Sequence, residues 1–247
     1  MRRGSRRRHT GRVTDVTRLL RDGILTLEGR LVYATNASFR GTVTLEGAAA
    51  RCVYKPTAGE RPLDDFPDGT LAHREVAAYL VSEALGWDIV PPTVLRDDGP
   101  YGPGMAQLWI EVDEAVDVGE LLRTGDPRLR RVALFDAIVN NTDRKGGHLL
   151  PAPGGGLHGV DHGVCFSVHP KLRTILWGWR GLPFAADELA ALRTMRAALD
   201  ADLGAALRGV LARAEVRATV GRVERLLESG TFPFPSPGWP AVPWPPF

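Results

Sequence analysis

From residue 23 onward, hydrophobic and polar positions alternate in short runs. ILTLEGRLVYATN, FRGTVTLEG and RCVYKP follow one another with glycine and asparagine between them. A period of two over such lengths predicts three antiparallel strands. The period then lengthens. After the turn-forming segment GERPLDDFPDG comes LAHREVAAYLVSEAL, where Leu71, Val76, Tyr79, Leu80 and Leu85 contribute to one apolar stripe, with Thr70 placed to cap the helix and Gly86 to end it. IVPPTVLRDD and YGPGMAQLWIEV predict two further strands. The first part of the chain is therefore a small β-rich unit carrying one helix.

The second part opens with DVGELL and PRLRRVALFDAIVNN. Leu129, Val132, Phe135 and Ile138 recur there at helical spacing, which predicts a buried helix running into a polar loop. LLPAPGGGLHGVDHGVCF reads as two short strands joined by a glycine turn, and Asp187 to Glu228 as two or three helices. FPFPSPGWPAVPWPPF carries too much proline for regular structure. Three readings are open for it: a strap packed through Trp239 and Trp244, a disordered tail, or a proline-rich ligand for a protein partner. RRGSRRRH, at the start, reads as a disordered basic tail over 1–12. The expected division is one domain over 13–231, with a β-rich N-lobe at about 13–112, a helical C-lobe at about 113–231, and a proline-rich tail at 232–247. This α+β order of parts is one that a two-lobed kinase needs, but architecture alone does not fix function.

Composition narrows the classes. The 247 residues, 44% of them hydrophobic, suffice for one domain with a buried core. The 31 basic and 29 acidic residues give a formal charge of only +2, which does not point to nucleic acid. No stretch approaches the ~20 apolar residues of a membrane span, and no apolar run follows the arginine cluster as a secretory signal requires. The expectation is a cytoplasmic protein without a transmembrane segment, peripheral contact through the arginines remaining open. Cys52 and Cys165 lie in apolar runs that read as core strands, and two thiols alone cannot make a four-ligand zinc site.

Phosphoryl transfer requires cations around the phosphates, a carboxylate near the attacking group and oxygen ligands for magnesium. Asp143 lies in a polar turn after the buried helix, and Asp161 follows the short run Leu157 to Val160, eighteen residues later. A hairpin between them would return both to one place. Lys55 ends the strand RCVYKP, and Glu75 on the following helix is available to hold its ammonium. Taken singly, the two read equally well as an ordinary strand-end cation and a solvated helix residue.

In order, VYKP, GERPL, HREVAAYLVSEALGW, IVPPT, NNTDRKGGH, GVDHGVCF and HPKLRTILWGWRGLPF resemble the catalytic domain of phosphatidylinositol 3/4-kinases. The likeness is greatest to the type II phosphatidylinositol 4-kinases and to an actinobacterial branch of that superfamily, and spans about residues 30–185. It implies a two-lobed, protein-kinase-like fold of the atypical, lipid-kinase kind, and ATP-dependent transfer of the γ-phosphate to a hydroxyl acceptor. It also implies that Lys55 contacts the ATP phosphates with Glu75 as its partner, that Asp143 is the catalytic-loop acid with Arg144 beside it, and that Asp161 binds metal. Asn36, Ala37 and Ser38 would cover the phosphates in place of a glycine-rich loop, and the backbone from Gln107 through Trp109 to Glu111 would form the adenine hinge. The chain departs from the family at His148, where the family usually has asparagine. Magnesium prefers oxygen, so an imidazole there implies a water bridge, manganese, or no metal contact, with Asn140 or Asn141 as alternative amide donors. Two functional readings follow: an active kinase on a lipid, protein or small-molecule acceptor, and a pseudokinase serving as a nucleotide-binding regulatory module.

Overall fold

The alternating runs fold into β1 (Ile24–Arg30), β2 (Phe39–Leu45), β3 (Ala48–Pro56), β4 (Thr93–Gly99) and β5 (Gly102–Leu108), seen in a computed structural model that describes residues 15–31 and 36–247. The basic segment 1–12 lies outside the described residues. All five strands join one antiparallel sheet in the order β1-β2-β3-β5-β4. Glu46 and Gly47, both at positive φ, turn β2 into β3 in the manner of a two-residue hairpin. β5 stops at Leu108, short of the apolar run that predicted it. The Trp109 amide still donates to Arg51 O, after which the chain leaves the sheet. A helix absent from the sequence reading, α1 (Val16–Asp22), packs Leu19 and Leu20 with Val43, Cys52, Val94 and Ala106. Its seven residues are too few to show a period.

α2 (Leu71–Leu85) begins and ends where the pattern placed it, but its cap differs. The Thr70 hydroxyl donates to Pro67 O, and the Glu60 carboxylate instead accepts from the Leu71 and Ala72 amides at 3.1 and 2.8 Å. A carboxylate is favoured at that end, where free N–H groups carry partial positive charge. Gly86 closes the helix at φ 63°. The burial is wider than one stripe: Ala77, Ala78 and Val81 join the helical core, while Ala72 and Val76 pack with Met105 of the sheet. α2 is thus enclosed on two sides, which is why Arg74 and Glu75 are also buried.

The remainder comprises α3 (Val118–Arg123), α4 (Pro127–Val139), the hairpin β6 (Leu149–Ala152) with β7 (Gly156–Gly159), and α5 (Ala186–Asp200), α6 (Asp202–Arg208) and α7 (Arg213–Ser229). α4 lies in the main core with Leu129, Val132, Phe135 and Ile138 all buried, capped by Asp126 and stopped by Asn140 in a left-handed conformation. Cys52 sits in β3 as expected. Cys165 is buried but belongs to no strand, because Asp161 and Phe166 take positive φ and break the extended run. Its neighbours bond instead to the end of α4 and the loop after it, Phe166 N to Val139 O and Thr142 N to Val164 O.

Residues 232–247 form a packed strap. Ala241 O accepts from the Thr174 amide and the Trp177 indole, Pro240 O from Arg173 Nε, and Pro246 O from the Gly146 amide. The Phe247 ring lies so close to Gly146 that a Cβ there would overlap it. Trp239 carries the Lys171 ammonium 4.0 Å from its ring centre, whereas Trp244 is 84% exposed and anchors nothing. Among the described residues no helix is long and apolar enough to cross a membrane.

Candidate active site

Strand β3 ends at Pro56, which delivers Lys55 to the edge of a cleft between the sheet and the helical part. Its ammonium lies 2.6 Å from Glu75 Oε1 and 2.8 Å from Asp161 Oδ1. Glu75 is held in turn, since its second oxygen accepts from the His162 amide at 2.8 Å. Burial pushes the Lys55 ammonium down, but the Asp161 and Glu75 carboxylates outweigh it and the net shift is upward. Lys55 lowers the Asp161 carboxyl far below its ordinary value, outweighing the opposing effect of burial. Lys55 and Asp161 are therefore both charged at neutral pH.

Two cavities meet at this triad. One, of about 450 Å³, is lined by Val53, Leu108, Ile110, Leu150 and Val160 together with Ser38, Gln107 and Trp109. The other, of about 460 Å³, is more polar and holds Asp143, Thr142, Arg61, Lys171 and Arg173. Asn36, Lys55 and Asp161 belong to both. Asp143 is poised by the loop after α4: its amide donates to Asn141 Oδ1 at 3.0 Å, and its carboxylate lies 3.2 Å from Lys145 Nζ. Asn140 and Asn141 are buried and line neither cavity, their amide oxygens accepting from Lys171 N and Asp143 N.

The other residues singled out from sequence fall into two groups. Asn36 Oδ1 accepts from the Arg61 amide, and the Ser38 hydroxyl donates to Asn36 O, so both belong to the wall of the cleft. Gln107 is buried with its side chain on Thr93 and lines the apolar cavity, its position in β5 paired on both sides with Val53 and Thr93. Glu111 lies outside the cavity lining and pairs with Arg51 at the surface. Arg144 lines neither cavity. Fully buried, it contacts Asp136 at 2.8 Å, Val160 O at 3.2 Å and the His162 ring at 2.6 Å.

His148 brings Nε2 to 3.4 Å from Asp161 Oδ2. Burial lowers its pKa, Asp161 opposing, so the ring is neutral and its Nε2 can offer a lone pair. Among the described residues no three His, Cys, Asp or Glu groups are arranged so as to hold a metal ion by themselves. The protein thus presents two donors, Asp161 and His148, a number that suits a divalent ion completed by phosphate oxygens and water. The sequence reading overlooked Lys145, although it stands two residues beyond Asp143 in NNTDRKGGH. It also overlooked Lys171, which pairs with Asp65 across the polar cavity; nothing in local pattern joins residues that far apart.

No protein-family model matches the chain. Phosphatidylinositol 4-kinase gamma 7 of Arabidopsis thaliana is 28% identical over 166 residues, 55% of this chain and 25% of the plant protein. The chain therefore spans about a quarter of that relative's length. Among solved structures, that of hydra Fam20 with sugar is 14% identical and covers 87% of this chain and 86% of its own, with a TM-score of 0.52. At that identity the likeness concerns fold alone, a mixed α+β one with an antiparallel sheet and helices. Protein Rv2133c of Mycobacterium tuberculosis is 44% identical over 264 residues, 93% of this chain and 94% of the mycobacterial protein. With near-complete coverage on both sides, the chain belongs to the family of Protein Rv2133c.

Proposed function

We propose that the protein is a two-lobed, ATP-dependent kinase that transfers the γ-phosphate to a hydroxyl acceptor. The observation that carries this reading is Lys55 Nζ held between Glu75 and Asp161 where the two cavities join. The apolar cavity suits a purine, with backbone at Gln107 and Trp109 as the hinge and Asn36 to Ser38 over the phosphates. Lys55, fixed and charged, would then meet the phosphate oxygens. The polar cavity takes the acceptor, whose hydroxyl hydrogen-bonds to Asp143 and gives up its proton there as its oxygen bonds to the γ-phosphorus and the bond from that phosphorus to the β–γ bridging oxygen breaks, ADP leaving. Lys145, beside Asp143, offsets negative charge on the phosphoryl group in flight. Asp161 and His148 would hold magnesium or manganese, which supplies charge neutralisation to the phosphates. Arg144, buried away from both cavities, positions the acids and touches no substrate.

Lipid, protein and small-molecule acceptors remain alternatives within this reading. Asp143→Asn and Asp161→Asn should each lower ATP turnover by about 10²-fold or more. Full turnover in both variants with every acceptor tried would refute the assignment. The contact between His148 and Asp161 favours a second reading, a nucleotide-binding regulatory module in which the imidazole takes the place of a metal ligand. Calorimetry with ATP and magnesium or manganese, beside a phosphate-release assay, separates the two: tight binding without transfer supports the module.

A further inference from the structure

The helical part contains a second hollow that the proposed reaction does not use. It lies between α7, the 168–172 segment and the first residues of the strap, and has a volume of about 360 Å³. That is within the size range of small-molecule sites. Leu172, Leu226 and Phe232 form its apolar wall, and Val168 and Phe234, 44% and 68% exposed, stand at its rim. Arg222 and Arg225 also line it.

Arg222 is the unusual member. Four arginines are buried among the described residues: Arg74, Arg96, Arg144 and Arg222. The first three each face a carboxylate, from Glu215, Asp98 and Asp136 respectively. Arg222 donates to Ile138 O at 2.9 Å, Ser167 O at 3.1 Å and Thr219 Oγ1 at 2.8 Å, all of them uncharged. Burial, and then the neighbouring Arg225 charge, push its guanidinium down to about 10. A buried charge without a counter-charge is unfavourable. Here a guanidinium with no carboxylate in direct contact, the Glu215 charge acting on it only from a distance, borders a hollow with apolar walls, and a second guanidinium borders the same space.

We propose that this hollow binds a single-chain carboxylate amphiphile of the fatty-acid class, its carboxylate received by Arg222 and Arg225 and its chain laid along Leu172, Phe232 and Phe234. A guanidinium supplies paired N–H donors to a carboxylate, and Arg222 has used only three of its five. The exposed rings and methyls at the rim are the surface that such a chain would cover. The site stands apart from the Lys55 cleft and does not depend on phosphoryl transfer.

The test is fluorescence titration of the full chain with a dansylated undecanoic acid. Saturable one-to-one binding is expected, displaced by dodecanoate and not by dodecyltrimethylammonium, which has the same chain and the opposite charge. Arg225→Glu should weaken binding at least about 10-fold, and Ser229→Trp, which fills the hollow from its rim, should abolish it. Both positions are exposed, so the variants are expected to fold, and a circular-dichroism melt checks this. Absence of saturable binding to the wild-type chain, unchanged affinity in Arg225→Glu, or equal displacement by the cationic analogue would each overturn the proposal.

Discussion

Replacing Asp136 by asparagine tests the scaffold beneath both candidate acids. Asp136 is wholly buried on α4, and its carboxylate accepts from Arg144 Nε and Nη2, Asn141 Nδ2 and the Thr174 hydroxyl at 2.8 to 3.3 Å. An asparagine keeps the shape but loses the charge and places N–H donors against the guanidinium. Breaking one side of a buried pair costs roughly 3–5 kcal/mol, most of it from the charge left alone. For a chain of this size that corresponds to a fall in melting temperature of roughly 6–20 °C. Urea unfolding followed by tryptophan fluorescence gives the free energy, with an unchanged m-value showing that the unfolded reference is the same. The double variant Asp136→Leu with Arg144→Met removes both charges, and its loss should fall short of the sum of the single losses by at least about 2 kcal/mol. A loss below about 1 kcal/mol for Asp136→Asn, or simple additivity in the cycle, would refute this account of the pair.

Other perturbations have equally definite outcomes. Burial pushes the Cys52 thiol up to about 11 and that of Cys165 well above its usual value, whereas both ionise near ~8.5 once unfolded. The fold keeps protons that the unfolded chain gives up, so stability falls as pH rises above ~8.5, by at most about 1.4 kcal/mol per pH unit for each thiol; urea curves at pH 7.5 to 9.5 on the wild type and a Cys52→Ser, Cys165→Ser variant measure the difference. Glu60→Ala removes the α2 cap and should cost about 0.5–2 kcal/mol, read in the same unfolding assay. Deleting residues 240–247 frees the Gly146 and Thr174 amides, whose hydrogen exchange should accelerate while that of α4 is unchanged. Lys145→Met should lower turnover about 10²-fold with little change in ATP affinity, separating charge stabilisation from binding in steady-state kinetics.

Much of the fold was legible because its signals are local. Period-two runs marked β1, β2 and β3, two further apolar runs marked β4 and β5, and Leu129, Val132, Phe135 and Ile138 marked α4, whose buried face joins the main core while the sheet packs in smaller clusters of its own. α1 is too short to show a period, and the cap of α2 comes from Glu60, eleven residues before the helix starts, beyond any local motif. Cys165 shows the limit of apolarity as a guide: a run that reads as a strand is buried in irregular backbone because the Phe166 amide donates to Val139 O at the end of α4 and Val164 O accepts from Thr142 in the loop after it. In the candidate site, Lys55, Glu75 and Asp161 come together in space, as their order in the chain suggested. The interior position of Arg144 was not readable, because an arginine beside an aspartate looks the same whether it faces a cleft or a buried Asp136. Nor did sequence show that Glu111 would turn to Arg51 while its neighbours kept to the cavity wall.

Arg74 and Glu75 are adjacent on α2, yet they are fastened to different parts of the molecule. Glu75 holds Lys55 and the His162 amide, while Arg74 reaches Glu215 at the start of α7 and the Cys165 carbonyl, with Phe66 against its guanidinium. Turning the helix far enough to release Lys55 therefore drags a buried cation from its partner. At roughly 3–5 kcal/mol the released state would hold fewer than about one molecule in a hundred. The helix behaves as a bolt with two catches rather than as a lever. An effector that switched this protein by moving α2 would have to act on Glu215, which makes the first turn of α7, far from the lysine in sequence, the place from which the bolt can be drawn.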